Sequence, residues 1–272
     1  MKTLKIFSLA ALCISALTIC LWYVAVPEEL IVAEIQKAAR RPVEVIGLKK
    51  GLFFNAEINK INVTSDKRTL ALLQNIELAF NPLYILTGKI PVEYKSNIYK
   101  GVITGTAMYN MTLPEGDRLT VSGEFTGLRL MELAGLYDAY YGDGSVSGTL
   151  TVKEKEVHID FIVKDYKPKI RGGMIPDMLL AYFDELSGKL MITGGNITTC
   201  SIALKGRGIF ARVKWHLTEH ARDITIELMP EPSFKGMELI KTLKRYETSP
   251  GIYTIKMRQF LDKSSFNTRY FS

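Results

Sequence analysis

Apolar and polar residues alternate with a period of two along most of the chain after residue 42, and that alternation is the main structural signal. Ile76, Leu78 and Phe80 alternate with polar neighbours, and the pattern resumes in Ile90, Val92 and Tyr94. Val146, Gly148, Leu150 and Val152 run up to a charged turn at 153–156, and Val157, Ile159, Phe161 and Val163 run back, which predicts a hairpin. Ile209, Ala211, Val213, Trp215 and Leu217 share one parity against Arg212, Lys214 and His216. Ile224, Ile226 and Leu228 follow beyond a polar stretch and predict the return strand. Further strands are expected at Val43 and Val45, at Ile58 to Val63, at Ile197 to Leu204 and at Ile252 to Met257. Gly101 and Gly105 mark a bend or a close backbone approach within another.

Helical spacing is confined to short stretches. Pro27, Glu28 and Glu29 suit a first helical turn, Ile31, Ile35, Ala38 and Ala39 follow at helical spacing, and Pro42 ends the segment. Asn81, Pro82 and Gly88 bound a helix of about two turns. Leu179, Phe183 and Leu186 predict a short inserted helix over Pro176–Leu186 closed by Ser187 and Gly188, and another is expected over Lys235–Arg245. Successive alternating strands with few long helices predict a mainly β protein with an antiparallel sheet, apolar on one face. Covered by so little helix, such a sheet is expected to curl over its own apolar side as a gutter or partly open barrel. A fully packed sandwich would have the same alternation.

The beginning of the chain differs. Ile6–Val26 is uncharged and as a helix would measure about 31 Å, against a hydrocarbon core of roughly 30 Å. Lys2 and Lys5 precede it, and Trp22 and Tyr23 sit near its far end like an interfacial belt. The expected organisation is a cytoplasmic N-terminus at 1–5, a transmembrane anchor at 6–26, a juxtamembrane helix at 27–41 and an exported β domain at 42–272. A cleaved signal peptide is the competing reading. It needs a shorter apolar run and a small-x-small site, and Ala25 has Tyr23 two residues before it. Cys13 and Cys20 lie in the span, so Cys200 is the one thiol beyond it and a disulfide within the β domain is excluded.

Candidate chemistry is sparse. The segment His216-Leu217-Thr218-Glu219-His220 fits a zinc-protease pattern, in which helical spacing would bring two imidazoles to one metal. Here the motif straddles a strand and a turn. Four residues of strand span about 13 Å, against roughly 6 Å for four residues of helix, so the expectation is two solvated histidines and no metal. No nucleophile, base and orienter set or phosphate loop is present, so no catalytic residue and no cofactor are expected. The formal net charge of +7 is mild, and its bases are scattered singly along strands, which argues against a nucleic-acid groove.

The order of these pieces resembles a known family. The apolar run, then EIQKAARRPVEVIGL, then NIELAF leading into NPLYILTGKIPVEY and IYKGVITGTAMY, is similar to the start of AsmA-like envelope proteins. The later segments GDGSVSGTLTV, GKLMITGG, the LKGRGIF to ITIELMP hairpin and SPGIYTIKMR extend the resemblance to the compact type II secretion system protein N family. Ala39-Arg40-Arg41 lacks the glycine found at that turn in the family, and Lys100 stands where the family has another. The resemblance implies a non-enzymatic, single-pass inner-membrane protein with its β domain in the periplasm. It would act as an accessory component of a type II protein secretion system, contacting other secretion components. The alternative is AsmA-like lipid binding or intermembrane lipid transport, with acyl chains as partners. In that case the apolar side of the sheet is the candidate site, represented by Val146, Leu150, Ile159, Phe161, Val213 and Trp215.

Overall fold

The computed structural model describes residues 22, 26–39, 42–51, 54–65, 68–81, 84, 87–114, 117–134, 142–154, 156–168, 182–193, 196–217 and 221–260. The chain divides into two compact units, Met1–Arg118 and Leu119–Ser272.

In the first unit, helix α1 (Glu28–Ala39) precedes five strands, β1 (Val43–Lys50), β2 (Asn55–Ser65), β3 (Arg68–Phe80), β4 (Lys89–Ile98) and β5 (Gly101–Asn110). Each pairs antiparallel with the next. Gly101 and Gly105 lie in a β4–β5 ladder that runs unbroken from Lys89↔Asn110 to Ile98↔Gly101. The irregularity falls in β3, where Gln74 pairs with Asn97 and Glu77 with Lys95. Asn75 takes a left-handed conformation there (φ 50°). Asparagine tolerates that region better than most residues, and the extra residue lets Leu73 and Ile76 share a face although they are three apart. The expected helix after Asn81 lies largely outside the described residues. What is described is a tight turn, in which the Tyr84 amide donates to the Asn81 carbonyl at 3.2 Å.

Among the described residues no helix is long and apolar enough to cross a membrane, and 1–21 and 23–25 lie outside them. Trp22 is enclosed by protein at 8% exposure. Its ring packs edge-on to Phe80 at 4.9 Å and tilted against Phe54 at 5.8 Å. Its Nε1 donates to the Gly51 carbonyl at 3.0 Å. The Lys50 ammonium donates to the carbonyls of Val26 (2.5 Å) and Trp22 (3.2 Å), so the residues on either side of 23–25 are fastened to the end of β1.

The second unit holds β6 (Leu119–Arg129), α2 (Leu130–Ala134), β7 (Gly142–Lys153), β8 (Glu156–Pro168), β9 (Phe183–Thr193), β10 (Asn196–Gly206), β11 (Ile209–Leu217), β12 (Ala221–Pro230), α3 (Met237–Leu243), a 3₁₀ turn at Lys244–Tyr246, β13 (Glu247–Ser249) and β14 (Ile252–Phe260). Its strands form an antiparallel meander in the order β6-β7-β8-β9-β10-β11-β12-β14-β13, with no pairing between β6 and β13 to close it. The inserted helix expected over Pro176–Leu186 is corrected: Phe183–Leu186 belong to β9, as do Ser187 and Gly188, while 169–181 lie outside the described residues. A three-and-four spacing of apolar residues misleads here because β9 carries a bulge. Phe183 pairs with Gly206 and Glu185 with Lys205, so Asp184 is an extra residue that puts Phe183 and Leu186 on one face.

Candidate functional site

Alternation and register place a continuous apolar surface on one face of the second unit. Residues opposite one another across antiparallel strands share a face, so the pairings can be followed from β6 to β14. One row runs Leu128, Val146, Val163, Leu186, Leu204, Ala211, Leu228, Tyr253. The next runs Phe125, Gly148, Phe161, Gly188, Ile202, Val213, Ile226, Ile255, and the third Gly123, Leu150, Ile159, Leu190, Cys200, Trp215, Ile224, Met257. All six residues singled out in the sequence lie in these rows: Val146 in the first, Phe161 and Val213 in the second, Leu150, Ile159 and Trp215 in the third.

Two bulges make the face continuous, and neither was visible in the alternation. In β6, Phe125 pairs with Gly148 and Leu128 with Val146, three residues against two, with Gly127 left-handed (φ 71°) and its amide held by the Ser147 hydroxyl at 3.1 Å. In β8, Ser145 pairs with Lys164 and Asp143 with Lys167, with Asp165 left-handed (φ 52°). Without these extra residues Phe125 and Leu128, or Val163 and Tyr166, would point to opposite sides. Instead all four are buried.

Coverage is graded along the strands. From β10 to β14 the first row is closed over by α3 and the segment before it: Leu204, Ala211, Leu228 and Tyr253 join Phe183, Ile209, Phe234 and Leu243 in one buried cluster, with Leu239 and Ile240 packed against it. Leu228 has no exposed surface and Val163 only 2%. The sequence predicted this helix, but its role as a plug depends on Phe234, which precedes it. In the second row Phe161, Ile202, Val213, Ile226 and Ile255 are only half-buried, and in the third so are Leu150, Ile159, Leu190, Trp215 and Ile224. Met257 at the end of the third row is 46% exposed. The face is therefore a packed core along the first row and a partly covered apolar surface in the other two, in which Phe125 and Cys200 are buried as well.

The floor of the half-covered part is low. A Cβ on Gly148 would stand 2.8 Å from Cζ of Phe125, and one on Gly188 would stand 2.7 Å from Cζ of Phe161. Each ring therefore lies down over the glycine of the neighbouring strand. The ionisable groups in the three rows are the Cys200 thiol and the Tyr253 phenol, and burial pushes the Cys200 pKa up to about 11, so the thiol stays neutral. Apolar matter laid on such a surface would be held by the exclusion of water.

The opposite face is polar and solvated. Lys189 pairs with Asp160 at 3.4 Å, Arg258 with Asp223 at 2.8 Å and Arg212 with Glu227 at 3.8 Å. Exposed pairs of this kind contribute little to stability. His216 lies on β11 opposite Asp223, and His158 lies on β8 beside Glu156 at 3.3 Å. Strands β9 and β10 separate the two histidines, a distance of about 14 Å at the usual strand spacing. His220 is outside the described residues, and among the described residues no three metal-ligating side chains cluster.

No protein-family model, curated protein or solved structure matches the chain.

Proposed function

We propose that this chain is a non-enzymatic, membrane-anchored envelope protein whose second unit shields lipid acyl chains on its half-covered apolar face. The observation that supports this reading is the gradient of coverage across three apolar rows, buried under α3 at Leu228 and half-open at Leu150, Ile159 and Trp215. An apolar face left only partly covered across several strands is the kind of surface on which monomeric proteins bind a ligand or partner. Seven strand spacings separate β6 from β14, about 34 Å, so the face is long enough to lay an acyl chain across several strands. Each methylene fully withdrawn from water contributes about 0.8 kcal/mol. Fifteen of them contribute about 12 kcal/mol, and an association cost of about 4 kcal/mol leaves about 8 kcal/mol, the scale of micromolar binding.

The family resemblance supports the related reading in which the protein, with its bulk in the periplasm, is an accessory component of a type II secretion system acting through protein contacts. Neighbouring genes for a secretin, pseudopilins and a secretion ATPase would favour it. Mass spectrometry of lipids that co-purify with the full chain tests the acyl-chain reading. Wild-type protein is expected to carry lipid, and Leu150→Glu, which sets a carboxylate in the half-open row, is expected to fold and lose it. A lipid-free wild type together with an unfolded Leu150→Glu would sink the acyl-chain reading and leave the secretion reading ahead.

A further inference from the structure

The first unit has two unlike ends. The meander brings the connections after β1, β3 and β5 to one end and those after β2 and β4 to the other. The second pair is short and polar: Tyr99-Lys100 joins β4 to β5, and Ser65-Asp66-Lys67-Arg68 joins β2 to β3 in the sequence. The first three are rich in apolar residues, with Leu52-Phe53, Leu83-Tyr84-Ile85-Leu86, and Met111 with Leu113. Of these, Tyr84, Met111 and Leu113 are described and exposed, at 48%, 42% and 41%, and Tyr109 beside them is 38% exposed.

These three connections are tied together. The Phe80 amide donates to the Phe54 carbonyl at 3.0 Å, joining the first to the second, and the Met111 amide donates to the Gly88 carbonyl at 2.8 Å, joining the second to the third. Arg118 holds the third turn through Nε to the Leu113 carbonyl at 2.8 Å. Exposed apolar side chains thus stand on a braced platform.

Trp22 supplies the second, independent observation. It sits among the same connections, against Phe54 and Phe80 and bonded to Gly51, and it directly follows the uncharged run beginning at Ile6. Trp22 is thus the described residue that ties this end of the unit to the run read as an anchor.

We infer that this end of the first unit is a membrane foot: the connections carrying Tyr84, Met111 and Leu113 are seated in the interfacial layer of the bilayer that the run enters. The inference rests on the reading of 6–26 as an anchor. The occupant is the lipid surface, and the contact is apolar. The charges described at this end are of both signs, Lys49, Lys50, Lys89 and Arg118 with Glu28 and Asp117.

The test uses the full chain in vesicles of brominated phosphatidylcholine, with Cys13, Cys20 and Cys200 changed to alanine. An environment-sensitive label is then placed on a single cysteine. Labels at Tyr84→Cys, Met111→Cys and Leu113→Cys are expected to be quenched, as for residues about 5–10 Å into the headgroup and acyl boundary. A label at Val102→Cys, at the opposite end of β5, is expected to stay unquenched. If the three foot labels behave like Val102→Cys while a label on Cys13, restored as the single cysteine, is quenched, the anchor stands and the foot is overturned. An unquenched Cys13 label overturns both.

Discussion

Glutamate placed at Leu150 and at Leu228 separates an open apolar face from a closed core. Leu228 lies in the first row with no exposed surface, among Phe183, Phe234, Leu243 and Tyr253. A carboxyl there meets no charged partner in that cluster, and burial of this kind raises a glutamate pKa by about 3–5 units. At neutral pH about 3 units cost roughly 4 kcal/mol. Loss of the leucine's own burial adds about 1.5–3 kcal/mol. The total, about 6 kcal/mol, is comparable to a domain stability of roughly 5–15 kcal/mol, so Leu228→Glu is expected to unfold the second unit. Leu150 is only half-buried, between Gly123 and Ile159. Its replacement carboxylate reaches water, and the cost is part of one leucine's burial, about 1–2 kcal/mol. For a urea slope near 2 kcal/mol per molar that is a midpoint shift of about 0.5–1 M with the native circular dichroism retained. If Leu150→Glu unfolds as completely as Leu228→Glu, the two rows are equally enclosed and the open face does not exist.

Two further outcomes follow from the same face. Cys200 is 3% exposed with its pKa pushed up to about 11 by burial, so at pH 8 native protein should react slowly with iodoacetamide and promptly once denatured. Because the unfolded thiol ionises near its ordinary value while the folded one resists, the Cys200 contribution to stability is intact below about pH 8.5 and declines from there toward pH 11. Prompt modification of native protein, followed by mass spectrometry, would contradict the burial. Gly188→Val puts a side chain where the Phe161 ring lies, forcing the ring up into the groove. A loss of about 1–3 kcal/mol in urea unfolding is expected, with reduced lipid content, and an unchanged midpoint would mean that the ring does not rest there.

Where local alternation is regular, the fold was legible in the sequence. Ile159, Phe161 and Val163 of β8 and Ile209 to Leu217 of β11 repeat every two residues, and their strands follow that parity. The candidate residues share a face for the same reason. Reading failed where an extra residue resets the parity. Phe183 and Leu186 are three apart, which mimics a helical turn, yet they are brought to one face by a strand bulge at Asp184. Gly127 and Asp165 act likewise, and nothing in their neighbours' hydrophobicity marks them. The gradient of coverage was not legible because it depends on a distant segment, Phe234 and α3, folding back over β10–β12. The burial of Trp22 was not legible either, because it depends on Phe54 and Phe80, which are remote in sequence.

The central claim is that acyl chains reach the half-open third row, and Trp215 reports on it directly. In a Trp22→Phe chain Trp215 is the remaining tryptophan. Its emission is measured as a brominated long-chain fatty acid is titrated onto protein freed of lipid. The account predicts saturable quenching with a micromolar midpoint, abolished in Leu150→Glu. Unquenched emission at saturating ligand, with the native fold retained, would contradict it.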